Sequence, residues 1–417
     1  MTRIKKDLVG MNFNLPTDLA EQLDQHAEDN FLQKTQVVEK ALREYLDNYE
    51  LEEICLGLRK FGVNYVPNHK SKYAPKELSA KDVVLNTDDF RISQNGMVFG
   101  MSGSGKTVLI KEKIKKIMEE TQENVAVIDM CGEYTDLVEK YGGRIITDGT
   151  DKINPFEIYL GKHQDLDPAL FKVDVAAALL CDMSYKNELT LEELSTLATA
   201  VRRMYCPLEE KILADENFQP TSGDFPTINS LLKQLLSMNS SVGQDLALMI
   251  DPFLNKDVVF NGGTTVEPAR LMVFQPNQRF FGTSRASIKA YIEWVWTVFT
   301  RRGNITRQWL FIDSIDSMLS NENTITMMIG YLKRSRKRHI SIIGVSESIT
   351  DVVANSGLAI LTDLYSTVFL NQSALDREYL RTQYHIPKKM LEFVSAMPYG
   401  VGLLADPKEI TPITIKL

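Results

Sequence analysis

From residue 86 onward, short apolar runs alternate with stretches of helical periodicity. The runs are Met97–Phe99, Val125–Ile128, Arg270–Phe274, Trp309–Ile312, Ile340–Val345 and Thr367–Leu370. They are continuous rather than alternating, which predicts strands buried on both faces. Helices between them predict a mainly parallel sheet. From about Asp165 to Leu254 the pattern is helical, most clearly over Thr190–Met204. That block interrupts the strand series and predicts an all-α insertion in an α/β domain spanning 86–417.

The first 50 residues follow another pattern. Met11, Phe13 and Leu15 alternate with Asn12 and Asn14, the period of a half-buried strand. Pro16 ends that run, and Leu19, Leu23 and Ala27 recur at helical spacing. After Asp29-Asn30, Thr35 is placed to cap a second helix bearing Val38, Ala41, Leu42 and Tyr45. The unit reads strand, helix, helix. Residues 51–85 have no periodicity after Phe61; six lysines and arginines between Arg59 and Lys81 face Glu77 alone. This stretch is expected to be a basic connector, long enough to act as a tether.

Charge and composition narrow the function classes. The net charge of −8 excludes a uniformly basic nucleic-acid binder but leaves room for a local DNA-binding surface. Apolar content of 44% and charged content of 24% exclude wholesale disorder. Cys55, Cys131, Cys181 and Cys206 form no CxxC pair, so neither a zinc ribbon nor a disulfide framework is indicated. A reducing cytoplasm fits. No apolar run is long enough to span a membrane, and the start lacks the apolar segment of a signal peptide.

One motif carries explicit chemistry. Residues 100–107, GMSGSGKT, match the phosphate-binding loop GxxxxGK[ST]. Gly100, Gly103 and Gly105 let backbone N–H groups curl round a phosphate, with Ser102 and Ser104 between them. Lys106 offers a point charge to β- and γ-phosphates, and Thr107 offers a hydroxyl to Mg²⁺. Val108 opens the following helix, whose N-terminus faces the anion. ATP with Mg²⁺ is the expected ligand. A second magnesium ligand is expected at a strand end, where Trp309-Leu-Phe-Ile312 runs into Asp313.

With these residues in place, 86–417 resembles the ATPase domain of the conjugation ATPases of type IV secretion systems, within the HerA/FtsK group. The landmarks are the loop at 100–107, Asp129 to Tyr134 with its Gly-Glu-Tyr, Asn154-Pro155-Phe156, the helical block, and Asp313. The resemblance implies a RecA-like P-loop NTPase core, usually hexameric, with ATP at subunit boundaries. It implies a motor that couples Mg-ATP binding and hydrolysis to DNA translocation or remodelling of a transfer complex. The chain departs from the family twice. Ser314 stands where a water-polarising glutamate follows the magnesium aspartate, and Ser346-Glu347 stands where Thr-Gln is usual. Glu133 and Glu347 are the candidate substitutes for the missing base. Within the run Lys333-Arg334-Ser-Arg336-Lys337-Arg338, Arg336 or Arg334 is the candidate to reach a neighbour's γ-phosphate; the alternative is a solvated helix face.

Residues 8–50 resemble a ribbon-helix-helix domain, a fold that dimerises because one strand and two helices cannot bury a core alone. The resemblance implies Asn12 and Asn14 facing base edges, with Lys34 and Thr35 at phosphate. Six basic against ten acidic residues over 1–50 keep a pure dimerisation module open beside DNA binding. The expectation is a cytoplasmic protein, recruited by partners such as a conjugation machinery to the inner face of the membrane. It would tether to DNA, dimerise through 8–50 and form rings through the ATPase domain. A nucleotide-gated DNA-binding scaffold with little ATPase activity is the alternative that Ser314 keeps open.

Overall fold

The computed structural model describes residues 95–158, 168–215, 217–254, 258–276, 281–301, 307–319, 321–354, 360–361, 364–395, 400–406 and 410–414. The strand–helix–helix unit and the connector lie outside the described residues. So do the DNA-contact candidates Asn12, Asn14, Lys34 and Thr35.

All six apolar runs become strands. They are β1 (Gly96–Phe99), β2 (Asn124–Ile128), β4 (Leu271–Gln275), β5 (Gln308–Ile312), β6 (Ile340–Ser346) and β7 (Ser366–Phe369). Three more, β3 (Arg144–Thr147), β8 (Val401–Ala405) and β9 (Ile410–Thr414), complete a nine-stranded sheet of order β3-β4-β2-β5-β6-β1-β7-β8-β9. The first seven in that order pair in parallel; β8 and β9 close one edge antiparallel. The weaker strands sit at the edges, where Pro412 of β9 costs the ladder least.

Both faces of the sheet are covered, which explains the unbroken apolar runs. Met97, Phe99, Ala126, Ile128, Leu310 and Ile312 join one core layer. Their neighbours Val98, Val125, Val127, Trp309 and Phe311 point into the other. This is the two-residue alternation of a strand, with both sides apolar.

The helical stretch between β3 and β4 contains α3 (Pro168–Ser184), α4 (Leu191–Ala214), α5 (Ile228–Ser237) and α6 (Ser241–Ile250), following α1 (Lys106–Glu120) and α2 (Thr135–Tyr141). Asn154-Pro155-Phe156 ties this block to the core. Asn154 is buried, donates to the Pro226 carbonyl at 2.9 Å and accepts from the Phe156 N–H at 3.0 Å. Tyr205 of α4 donates to the Phe156 carbonyl. Two buried ion pairs, Lys172–Glu293 and Lys289–Asp182, then fasten α3 to α7 (Phe281–Arg301). Removing one partner of such a pair strands the other charge, typically at ~3–5 kcal/mol.

The start of α4 is a capping box. Thr190 Oγ1 accepts from the Glu193 N–H at 3.2 Å, and the Glu193 carboxylate accepts from the Thr190 N–H at 2.8 Å. Thr190→Ala should therefore lower stability by ~1 kcal/mol, read as a shift of the urea midpoint at unchanged slope.

Candidate functional site

Parallel pairing brings chemically active residues to one edge. β6 lies between β1 and β5, with Phe99 paired to Ser346 and Ile312 to Gly344; Ile128 of β2 pairs with Ile312. The residues leaving these strands are Gly100, Glu347, Asp313 and Asp129. They meet at the carboxyl ends of the strands, where open α/β sheets bind ligands. The cavity there measures about 570 Å³; Lys106, Thr107, Glu133, Asp313, Ser314 and Glu347 are among its walls.

The loop between β1 and α1 is a phosphate cradle by conformation. Gly103 (φ 74°) and Gly105 (φ 103°) adopt left-handed backbone that glycine takes without strain. Gly105 caps α1 without a side-chain hydrogen bond, and no acidic residue stands in the first turn, so the helix presents unsatisfied N–H groups. Lys106 Nζ folds back on the Gly100 carbonyl at 2.6 Å and the Met101 carbonyl at 3.2 Å. Burial lowers its pKa; Glu347, Asp313, Asp316 and Glu133 oppose that. Ser104 is buried, and its Oγ has no hydrogen-bond partner among the described residues.

The acidic wall is built on Asp129. Its Oδ1 accepts from the N–H groups of Gly132 at 2.8 Å, Glu133 at 3.0 Å and Cys131 at 3.3 Å; Oδ2 accepts from Tyr134 N–H at 3.1 Å. Gln275 Nε2 adds a bond to Oδ2 at 3.2 Å. The resulting turn aims Glu133 at the loop, where Thr107 Oγ1 donates to its Oε2 at 2.6 Å. It also buries Tyr134, whose hydroxyl donates to Asp313 Oδ2 at 3.0 Å. Burial raises the Asp313 pKa, opposed by the Tyr134 hydroxyl and reinforced by the charge of Glu133.

Ser314 lines the cavity in left-handed backbone (φ 56°) and opens α8 (Ile315–Met318). Glu347 is exposed, with Oε1 3.9 Å from Lys106 Nζ. The structure thus gathers Lys106, Thr107, Glu133, Asp313 and Glu347. Arg336 stands apart: it is exposed in the last turn of α9 (Glu322–Arg338), at the end of the sheet where β6 begins. Arg334 stays on the same helix, donating from Nε to the Gly330 carbonyl at 2.9 Å.

In the sequence Asp129 and Tyr134 stand only as landmarks of the Asp129-to-Tyr134 segment, with no task attached to either. An acid directly after an apolar strand, as at Asp313, was the available signal for Asp129. Gln275 carried none, because its role depends on β4 lying beside β2.

The raised pKa of Asp313 has a consequence for stability. Below its ordinary value of 3.8 the group is neutral folded or unfolded. As pH rises past that value, the unfolded chain releases the proton first, so this group's contribution falls until the folded pKa is passed. Asp313→Asn should therefore raise the melting temperature of the ligand-free protein at neutral pH, with the gain vanishing near pH 3. Melting curves of both proteins across that range check this.

The chain is similar to known proteins in part of its sequence and in its fold. The family described as the TraG P-loop domain matches residues 75–240. VirB4 of Thermoanaerobacter pseudethanolicus superposes with a TM-score of 0.66 at 20% identity, over 78% of this chain and 89% of that one. The bacterial conjugative coupling protein TrwBdeltaN70, in its unbound monoclinic form, gives 0.53 at 13% identity over 82% and 89%. Plasmid coupling protein TrwB in complex with the non-hydrolysable ATP analogue ADPNP gives 0.51 at 14% identity over 77% and 85%. No curated protein matches the sequence. At these identities the structural likeness is one of fold. Residues 75–240 are similar to the TraG P-loop domain family, and the chain has a RecA-like P-loop NTPase fold like that of VirB4 and TrwB.

Proposed function

We propose that this protein is a motor-type ATPase of a conjugative or related mobile-element DNA-transfer system. The observation that carries the reading is the convergence of an uncapped, glycine-turned helix start with Lys106, Thr107, Glu133 and Asp313 on one cavity. An anion at the helix start and a cation beside the carboxylates is the charge pattern of Mg-ATP. The TrwB structure with an ATP analogue supports the choice of nucleotide.

The backbone N–H groups of the loop and Lys106 hold the phosphates. Thr107 Oγ1 and Asp313 are the magnesium ligands, with Glu133 beside them. Among the described residues no three His, Cys, Asp or Glu groups form a cage of their own. Hard oxygen donors in small number suit magnesium, which takes its remaining ligands from phosphate and water. When bound, the ion neutralises charge on the phosphate oxygens. Glu347 occupies the sensor position, facing Lys106.

Around this core, residues 8–50 form a ribbon-helix-helix dimer that tethers the motor to DNA through Asn12, Asn14, Lys34 and Thr35. The ATPase domains assemble as a ring, with Arg336 reaching a neighbour's nucleotide. Among the described residues no helix is long and apolar enough to cross a membrane. In this reading the protein acts in the cytoplasm and docks on a membrane-bound transfer machine through partners. Ser314, a wall of the cavity without a carboxylate, favours a second reading: a nucleotide-gated DNA-binding scaffold that hydrolyses little.

Two measurements test these assignments. Lys106→Ala should weaken Mg-ATP binding by roughly two orders of magnitude, the scale of lost charge-assisted hydrogen bonds, at unchanged circular dichroism. Equal affinity of mutant and wild type in calorimetry rejects the site. Replacing Asn12 and Asn14 with alanine should cost about 1–3 kcal/mol of base discrimination per bidentate contact, while ATP affinity stays the same. Competition binding between specific and random DNA reads that loss.

A further inference from the structure

A hydroxyl that binds a cation does so with an oxygen lone pair, and its single proton must then be donated to another acceptor. For Thr107 the acceptor expected from the sequence is Asp313, the acid at the end of β5. The structure pairs these groups differently. Thr107 Oγ1 donates to Glu133 Oε2 at 2.6 Å, while Asp313 Oδ2 accepts the Tyr134 hydroxyl at 3.0 Å. Thr107, Glu133 and Asp313 all line the same cavity.

Glu133 reaches Thr107 from a backbone that is held on both sides. Before it, Gly132 takes left-handed backbone (φ 76°), and the N–H groups of Gly132 and Glu133 both donate to Asp129 Oδ1, at 2.8 and 3.0 Å. After it, Tyr134 is buried, with its N–H on Asp129 Oδ2 and its hydroxyl on Asp313. The exposed Glu133 carboxylate is thus carried between two fixed points, directly over the start of α1. Glu347 contrasts with it: its side chain is 66% exposed and its Oε1 stands 3.9 Å from Lys106 Nζ. A fixed acceptor suits a group that must aim another group. An oxygen committed to Thr107 is also poorly placed to serve as the base that faces an attacking water.

We infer that Glu133 is a positioning residue for magnesium: it holds the Thr107 proton, leaves the Thr107 lone pair to the ion, and does so in place of Asp313. The inference rests on the Mg-ATP reading given above. It divides the labour of the acidic wall. Asp129 shapes the turn, Tyr134 steadies Asp313, and Glu133 acts through Thr107. Nucleotide affinity should then depend on Glu133 only when magnesium is present.

The test uses the full-length protein and calorimetry with a non-hydrolysable ATP analogue, once with saturating Mg²⁺ and once with EDTA. Magnesium should tighten binding by the wild type. Glu133→Ala should lose roughly tenfold or more of that gain, the scale of a lost hydrogen bond to a charged group, while its affinity in EDTA stays within a few-fold. Glu133→Gln, which keeps an acceptor without the charge, should recover most of the gain. Thr107→Val should abolish the gain, and adding Glu133→Ala to it should cost nothing more, because the two side chains act as one unit. Melting of the ligand-free variants checks that they fold; if Glu133→Ala does not, Glu133→Met, of similar length without an acceptor, gives the same comparison. Equal loss with and without Mg²⁺ marks Glu133 as a support of the loop and overturns the inference, leaving the nucleotide site standing. Additive losses in the double variant overturn it as well. A magnesium gain untouched by Glu133→Ala but lost on Asp313→Asn returns the role to Asp313. A wild type that binds the analogue under neither condition overturns the inference and the ATPase reading together.

Discussion

The candidate site exists because three parallel strands deliver their carboxyl ends to the same edge of the sheet. The ladder β5–β6–β1 pairs Ile312 with Gly344 and Phe99 with Ser346, so the residues that follow them emerge at one edge. Parallel pairing is what makes this possible. In an antiparallel ladder alternate strands would deliver their ends to opposite edges. A register slip of one residue would also exchange the two core layers, moving Val98 and Phe311 to the face now held by Phe99 and Ile312. The apolar surface on both sides of the sheet therefore stabilises the fold and also fixes the geometry of the site.

On that frame a single carboxylate shapes the acidic wall. Asp129 gathers the N–H groups of Cys131 to Tyr134, and the turn it holds sends Glu133 towards Thr107 and Tyr134 towards Asp313. Neither contact would form if residues 130–134 relaxed into an ordinary loop. The arrangement concentrates negative charge under the start of α1, where Lys106 stands in a partly buried position. Burial penalises the charged forms of both Lys106 and Asp313, so the ligand-free site is electrostatically frustrated. Such frustration is common where a protein waits for a charged ligand.

The helical block is coupled to the same frame by buried ion pairs rather than by apolar contact alone. Lys172 and Asp182 of α3 reach Glu293 and Lys289 of α7, and Tyr331 of α9 donates to Glu293. Tyr331 thereby ties the block to the helix that leads into β6. Replacing a member would leave a buried charge unpaired, which holds the helices in one arrangement.

The amino-acid sequence determined what depends on neighbours in the chain. The phosphate loop is contiguous, and its chemistry lies in backbone conformation that Gly103 and Gly105 impose locally, so it was legible as a motif. Buried strands announced themselves as unbroken apolar runs, and with them came the parallel α/β class. Short strands at or next to the sheet edges did not: Arg144–Thr147, Val401–Ala405 and Ile410–Thr414 are partly exposed or carry a proline, and their pairing partners decide their state. Asp313 was legible as an acid at a strand end, but its hydrogen bond to Tyr134, 179 positions away, was not. The same holds for Gln275 on Asp129 and for Thr107 on Glu133. Strand order alone decided which carboxylates converge on Lys106 and which stay engaged elsewhere, because that order is set by long-range packing on both faces of the sheet and leaves no local trace in the chain.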